Sequence, residues 1–268
     1  MIVWEWMEEF QRQALEAGDL ERFELPRLHN RAYKLRETDP AQALALLEKG
    51  SQEAARLREP WWVLFYDDWR VTAQLFFLRD FRNVLDLAVR NVLEIRKPAN
   101  AQFPLRFSIQ RNLIAAYLGI DPAGYADQIE PALEHLEREV PAEGGDKYLV
   151  QGSKREFALS LDRVDDAAAA VWQALRMAVN DRNQSSATHH ATFNYSGLCE
   201  IAWKRGDMVL LDEAAQAGEE AARASDLQME LTEFLQWQAV VAVAQGQTDR
   251  AQSLAQRASE RVKRLKMP

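Results

Sequence analysis

The stretch Gln245 to Lys266, QGQTDRAQSLAQRASERVKRLK, carries its apolar residues at the spacing of one helical face. Counted from Ala251, they fall at i, i+3, i+4, i+7, i+11 and i+14. These residues are Ala251, Leu254, Ala255, Ala258, Val262 and Leu265. An apolar stripe of this kind predicts an amphipathic α-helix, and such a helix needs a neighbour to cover its apolar side.

The same template occurs at five earlier places in the chain. The six copies begin at residues 43, 81, 129, 167, 211 and 251, so the steps between them are 38, 48, 38, 44 and 40 residues. A quasi-period of this length is typical of helical-repeat proteins, in which each unit is a helical hairpin stacked on the next. The pattern therefore predicts an all-α chain with no strand, since alternation of period two does not persist for a strand's length.

Turn signals between the stripes divide the chain into hairpins. We predict a single domain over 1–268, with a capping helix at 1–18 followed by six helical pairs. The pairs are expected at approximately 20–58, 60–97, 102–140, 146–181, 185–224 and 226–266. Within the first pair, the first helix is expected from about Leu25 to Arg36. The loop from Pro141 to Asp146 is the main break in mid-chain, and we interpret it as a long loop between repeats because the stripe resumes after it.

Composition argues against several classes of protein. The chain has 268 residues and a formal net charge of -8, which argues against nucleic acid as a partner. Cys199 is the single cysteine, so an intramolecular disulfide is excluded. The first residues form neither a basic nor an apolar region of a signal peptide, and no apolar run approaches the 18 residues or so of a membrane span. A cytoplasmic protein without a membrane partner is expected.

The segment Tyr195 to Asp207, YSGLCEIAWKRGD, followed by Leu211, Ala215 and Gly218, resembles a tetratricopeptide-like (TPR-like) repeat. The likeness consists of small residues in mid-helix, a Gly-Asp turn, and a second helix with apolar and small positions. The mean step, (251 - 43)/5 = 41.6 residues, is longer than the 34 residues or so usual in that family. HEAT-type or armadillo repeats share the longer period and are the alternative.

This resemblance implies a right-handed α-solenoid of about six hairpins with an N-terminal capping helix, in which the first helix of each pair lines a concave groove. It implies binding of a protein or peptide, as an adaptor or as a sensor of the kind found in bacterial peptide-sensing regulators. Counting back from each turn by analogy gives the expected groove residues. They are Tyr66, Trp69, Arg70, Arg111, Asn112, Arg155, His190, Phe193, Ser196, Glu200, Lys204 and Gln236.

Arginines in this set suggest the chemistry of the partner. Arg70 and Arg111 are 41 residues apart, which is one repeat, and Arg155 could continue the same ladder. Stacked guanidinium groups would favour a carboxylate or phosphate on the ligand. The alternative is that these arginines form salt bridges within the chain, to Asp67, Asp68 or Glu156.

Catalytic and metal-binding patterns are weak. His189 and His190 are adjacent, so on a helix their side chains point about 100° apart and do not grip one metal together. We expect Asp67 and Asp68 to be solvated or salt-bridged, and Cys199 to be a packing residue. No catalytic residue, metal or cofactor is therefore predicted.

Two other functions stay open as alternatives. One is an enzyme built on a helical toroid, with Asp67, Asp68, His189 or His190 meeting in its cavity. The other is a self-assembly module that oligomerises head to tail, because residues 1–24 carry a net charge of -5 and residues 247–268 a net charge of +4.

Overall fold

A computed structural model of the chain describes residues 3–141 and 146–265. All regular structure in these ranges is helical, which confirms the all-α prediction. The α-helices are α1 Val3–Glu16, α2 Leu20–Leu35, α3 Pro40–Arg56, α4 Pro60–Thr72, α5 Phe81–Ile95, α6 Arg106–Ile120, α7 Ala126–Glu139, α8 Asp146–Ser160, α9 Val164–Val179, α10 Gln184–Arg205, α11 Met208–Ala224, α12 Gln228–Ala244 and α13 Thr248–Leu265. Three predicted features fall partly outside the described residues: the start of the capping helix, positions 142–145 of the mid-chain loop, and Lys266 at the end of the last helix.

The chain divides into two compact units, with the boundary between Ala132 and Leu133 inside α7. In unit 1, each helix from α1 to α6 packs on the next, and α4 also packs on α6. In unit 2, each helix from α8 to α13 packs on the next, and α10 also packs on both α8 and α12. The predicted continuous domain over 1–268 stays a prediction.

Left-handed residues end many of the helices. The residues with positive φ in the described ranges are Gly18, Arg58, Arg79, Asp162, Gly206, Asp226 and Gly246, and each lies in a turn between two helical segments. A residue in this conformation reverses the chain after a helix. Aspartates often follow as N-caps: the carboxylates of Asp39 and Asp207 accept hydrogen bonds from the backbone N–H groups of Gln42 and Leu210.

The second helix begins earlier than the sequence pattern predicts. The pattern places its start near Leu25, whereas α2 begins at Leu20. The side chain of Asp19 accepts a hydrogen bond from the backbone N–H of Arg22, so this cap starts the helix one turn upstream.

The core of unit 1 is aromatic and centres on α4. Trp62, Phe65 and Tyr66 on this helix are fully buried, as expected of a helix that is apolar on most of its sides. The ring of Trp6 from α1 lies 4.6 Å from that of Trp62 between centroids. The indole N–H of the neighbouring Trp61 donates to the side chain of Asn100, so the two adjacent tryptophans have different environments.

Helices α3–α4 and α11–α12 begin at equivalent places, 168 residues apart: Pro40 and Met208 begin the first helices, and Pro60 and Gln228 the second. The same offset relates two helix contacts. A Cβ added at Gly50 would lie 2.2 Å from the ring of Tyr66, and one added at Gly218 would lie 2.2 Å from the ring of Phe234. In both hairpins, therefore, a glycine lets an aromatic ring sit directly on the helix backbone.

The core of unit 2 contains the single cysteine. Cys199 on α10 is fully buried among Ile201, Ala202 and residues of α11, and its burial raises the pKa of the thiol to about 12. The thiol is therefore protonated at neutral pH and acts as a small apolar side chain. Among the described helices, none combines the length and the apolar character needed to cross a membrane.

Candidate functional site

The predicted groove residues of unit 2 lie on three helices, α8, α10 and α12, and α10 packs against both of the others. We call the surface formed by the adjoining sides of α10 and α12 the α10–α12 face. Its members are Phe193, Ser196, Glu200, Trp203, Lys204, Glu233, Gln236, Trp237 and Val243. Residues three, four and seven apart share one side of a helix, which brings Ser196, Glu200 and Trp203 together along α10.

A shared carboxylate joins the two helices of this face. The hydroxyl of Ser196 donates to Oε1 of Glu233 over 2.6 Å, and the indole N–H of Trp237 donates to the same oxygen over 3.2 Å. Glu233 is therefore held in one position by donors from both α10 and α12. Fixed side chains of this kind lose little entropy when a partner binds.

Aromatic surface remains open beside this carboxylate. Trp203 is 50% exposed, and its ring centroid lies 6.4 Å from that of Trp237. Gln236 is exposed, and so is Val243, which lies seven residues further along α12. Lys204 is exposed as well, with its ammonium 2.9 Å from a carboxylate oxygen of Asp162. Exposed tryptophan next to polar groups is typical of sites that bind proteins.

Arg155 does not belong to an open surface. It is buried, and its guanidinium donates to the backbone carbonyl of Phe193 and, over 3.0 Å, to Glu156. Gly197 makes room for it, because a Cβ there would lie 2.3 Å from Cδ of Arg155. Arg155 therefore ties α8 to α10, and its contact with Glu156 is the one that the salt-bridge alternative names. Its role in a ligand-binding ladder stays a prediction.

The two adjacent histidines have different neighbours. The ring of His190 stacks on Tyr148 with centroids 4.6 Å apart, whereas His189 meets the edge of Phe193 at 5.3 Å. The hydroxyl of Tyr148 in turn donates to Asp181 over 2.9 Å. Over the ranges that the structure covers, no three His, Cys, Asp or Glu side chains are grouped as metal ligands.

In unit 1, the predicted groove residues Tyr66 and Asn112 are buried. Tyr66 is fully buried and its hydroxyl donates to the backbone carbonyl of Leu25, while burial raises the pKa of the phenol. The amide of Asn112 is also buried, and it donates to Asp68 over 2.8 Å and to Thr72 over 3.0 Å. Both side chains are occupied by contacts inside unit 1, and their role in a groove stays a prediction.

Asp68 is a buried carboxylate between α4 and α6. Besides the amide of Asn112, it accepts the hydroxyl of Ser108 over 3.0 Å. Burial raises its pKa to about 7, although both hydrogen bonds and the charge of Arg111 oppose the rise. The expectation that Asp68 is solvated or salt-bridged is therefore wrong, whereas Asp67 does pair with Arg70.

The remaining predicted residues of unit 1 make contacts within the chain. Arg70 lies 3.0 Å from Asp67 and 3.7 Å from Glu48, as the salt-bridge alternative expects. The guanidinium of Arg111 lies over the ring of Phe76, 4.2 Å from its centroid. Trp69 is half-buried, and its ring lies 4.8 Å from His29 and 5.6 Å from Tyr33 between centroids.

Sequence reasoning missed an arginine-lined cleft of about 250 Å³ in unit 2. The cleft is lined by Arg223 of α11, Leu231 and Leu235 of α12, and Arg257, Glu260, Arg261 and Arg264 of α13. The signal was present, because Arg257, Arg261 and Arg264 fall at i, i+4 and i+7 and so share one side of α13.

A larger cleft of about 580 Å³ lies among the end of α7, α8 and α9. Two cations, Lys147 and Arg176, line it together with apolar residues such as Val150 and Met177. Lys147 already pairs with Asp181 over 2.9 Å, and this contact, with further donors, lowers the pKa of Asp181 to about 2. The larger cleft therefore offers less uncompensated charge than the arginine-lined one.

Comparison of the chain with protein-family models, with curated proteins and with solved structures gives no match. The function is therefore argued from the geometry of the described residues.

Proposed function

We propose that the chain is a TPR-like helical-repeat module that binds a protein segment or peptide on the α10–α12 face. One observation carries the proposal: α10 packs on both α8 and α12, and the side shared by α10 and α12 presents exposed aromatic and polar groups around the fixed carboxylate of Glu233. In repeat arrays of helical hairpins, the first helices of successive hairpins pack side by side and together form such a surface.

The repeat interpretation has support from the spacing of equivalent elements. Two hairpins with the same helix starts, 168 residues apart, each seat an aromatic ring on a glycine of the preceding helix. An array of stacked hairpins places equivalent contacts at equivalent positions, because every hairpin meets the same kind of neighbour. A right-handed α-solenoid of about six hairpins remains the architecture that we propose.

The chemistry of the face defines the partner segment. Trp203 and Trp237 would contact an apolar side chain, and the amide of Gln236 would hydrogen bond to the backbone of an extended segment. Lys204 would favour a carboxylate of the partner, which would replace the exposed carboxylate of Asp162 in its salt bridge. The acidic partner expected from the sequence is retained, but its cationic contact moves from the arginine ladder to this lysine.

A capture experiment with two matched tryptophan variants tests the proposal. The immobilised chain would be exposed to native lysate, the captured protein identified, and its dissociation constant measured for wild type, Trp203→Ala and Trp172→Ala. Trp172 is 41% exposed on α9, so its removal is an equal surface change away from the face. We expect Trp203→Ala to weaken binding about tenfold or more and Trp172→Ala to leave it within about twofold.

The Arg70→Ala/Arg111→Ala double variant completes the design. Both side chains are occupied by contacts within unit 1, so binding should be unchanged in this variant. Failure to capture a partner, or equal binding by wild type and Trp203→Ala, would refute the proposed face. Loss of binding only in the arginine variant would move the ligand to unit 1.

A further inference from the structure

The arginine-lined cleft concentrates positive charge in a chain that is acidic overall. Four guanidinium groups reach it from two helices, α11 and α13, and Glu219 and Glu260 are the carboxylates beside them. Four positive and two negative charges leave a local net charge of +2, whereas the chain as a whole carries -8. The cleft is therefore positively charged, whereas composition alone predicts a negatively charged surface.

Most of these guanidinium groups have hydrogen-bonding capacity left over. Arg223 pairs with Glu219, which also accepts the side-chain amide of Gln238 over 2.6 Å. Within the described residues, Arg257 and Arg264 form no ion pair. The Nη2 of Arg261 donates to the side chain of Gln228, but its Nε is buried without a hydrogen-bond partner in the described part of the chain.

The arrangement is electrostatically unfavourable when the cleft is empty. Burial and the neighbouring charges of Arg264, Arg223 and Arg257 lower the pKa of Arg261. Like charges at i and i+4 on a helix are themselves destabilising. An anion bound between the guanidinium groups would attract each of them and so offset this repulsion.

Size and lining narrow the choice of anion. A cleft of about 250 Å³ holds one compact group and a short carbon skeleton, and it is too small for several residues of a peptide. Leu231 and Leu235 are buried beneath it and provide an apolar wall for such carbons. Guanidinium groups bind the oxygens of phosphate in pairs, so a tetrahedral dianion matches several arginines at once.

We propose that the cleft between α11, α12 and α13 is a binding site for the phosphate group of a small organic phosphate. Arg257 and Arg261 bind the phosphate oxygens, Arg223 and Arg264 add charge at the rim, and the two leucines contact the carbon skeleton. The site is independent of the α10–α12 face, so either proposal can fail while the other stands.

Isothermal titration calorimetry at constant ionic strength tests this site. The probes are inorganic phosphate and glycerol 3-phosphate, with sodium acetate and glycerol as controls for a monoanion and for the carbon skeleton. We expect glycerol 3-phosphate to bind more tightly than inorganic phosphate, and acetate and glycerol to give no measurable heat of binding. Phosphate should also raise the melting temperature of wild type more than an equal ionic strength of chloride does.

Matched substitutions on α13 locate the effect. The Arg257→Gln/Arg261→Gln variant should bind both phosphates about tenfold or more weakly, whereas Arg250→Gln should bind within about twofold of wild type. Arg250 is exposed on the same helix and donates to Gln247, away from the cleft. Arg261→Lys, which keeps the charge but loses the planar fork, provides a second variant if the double substitution disturbs the helix. The proposal is overturned if phosphate binds no better than acetate, or if the glutamine variant, shown to be folded by circular dichroism, retains wild-type affinity.

Discussion

Replacing the buried histidine of unit 1 should change how stability depends on pH. His29 is 1% exposed, and its ring lies 4.8 Å from both Phe65 and Trp69 between centroids. Burial, together with the charge of Arg36, lowers the pKa of its imidazole to about 4 from 6.5. We predict that His29→Leu removes a destabilisation that wild type suffers in mild acid.

The sign and size follow from proton binding. Between pH 6.5 and pH 4 the unfolded chain binds a proton at His29 that the folded chain does not, so stability falls as the pH falls through this window. From pH 8 to pH 5 the loss is about 2 kcal/mol. Leucine has no such group, and it keeps most of the apolar contacts with the aromatic neighbours.

Urea unfolding followed by circular dichroism at pH 8, 6 and 5 measures the effect. The free energy of unfolding of His29→Leu, relative to wild type, should rise by about 2 kcal/mol between pH 8 and pH 5. His135 is exposed, so His135→Leu serves as the control for the same change of side chain outside the core. A difference for His29→Leu that is the same at all three pH values would refute the reasoning, because it would mean that His29 is protonated in the folded chain as readily as in the unfolded one.

Four further substitutions test other features by urea unfolding. Gly218→Ala should destabilise the chain by about 1–3 kcal/mol because its Cβ would meet the ring of Phe234. Gly152→Ala, where an added Cβ would meet no atom within 4 Å, should stabilise it by about 0.5–1 kcal/mol, and a gain in stability from both substitutions would refute the close contact at Gly218. Because burial raises the pKa of Asp68 to about 7, wild type loses stability as the pH rises from 3.8 to 7. The free energy of unfolding of Asp68→Asn, relative to wild type, should therefore rise by about 3 kcal/mol between pH 5 and pH 8, and a pH-independent difference would contradict this. Arg58→Gly should stabilise by up to about 1 kcal/mol because Arg58 has a φ of 60°, and an unchanged or lower free energy of unfolding would count against strain at that turn.

Helix positions followed from the sequence because the apolar stripes are long and their turns carry clear signals. The stripe from Phe81 to Ile95 coincides with the bounds of α5, and the aromatic run after Pro60 forms the buried helix α4. These features depend on local periodicity, which single-sequence reasoning reads well.

Orientation of α4 did not follow from the sequence. Counting back from the turn at Arg79 assumes a regular helix, but Ala73–Phe77 is π-helical. A π-helical turn holds an extra residue, so positions before it are rotated by about 100° relative to that count. Of the three residues counted on this side of α4, Tyr66 is fully buried, whereas Trp69 and Arg70 are partly exposed.

The arginine-lined cleft was missed for a different reason. Its residues come from α11, α12 and α13, and Arg223 and Arg257 are 34 positions apart. In the sequence, the basic residues of α13 need no binding site to explain them, because positive charge favours the C-terminal end of a helix. Only the packing of three helices brings these charges to one place.

The aromatic core of unit 1 has a consequence for spectroscopy. Trp4, Trp6, Trp61, Trp62 and Trp69 belong to this unit, whereas Trp172, Trp203 and Trp237 belong to unit 2. Intrinsic fluorescence of the native chain therefore contains a shielded contribution from Trp62 and a contribution from Trp4, Trp172 and Trp203 that iodide reaches. Quenching can thus distinguish a partner that covers Trp203 from a change in the core, without any label on the protein.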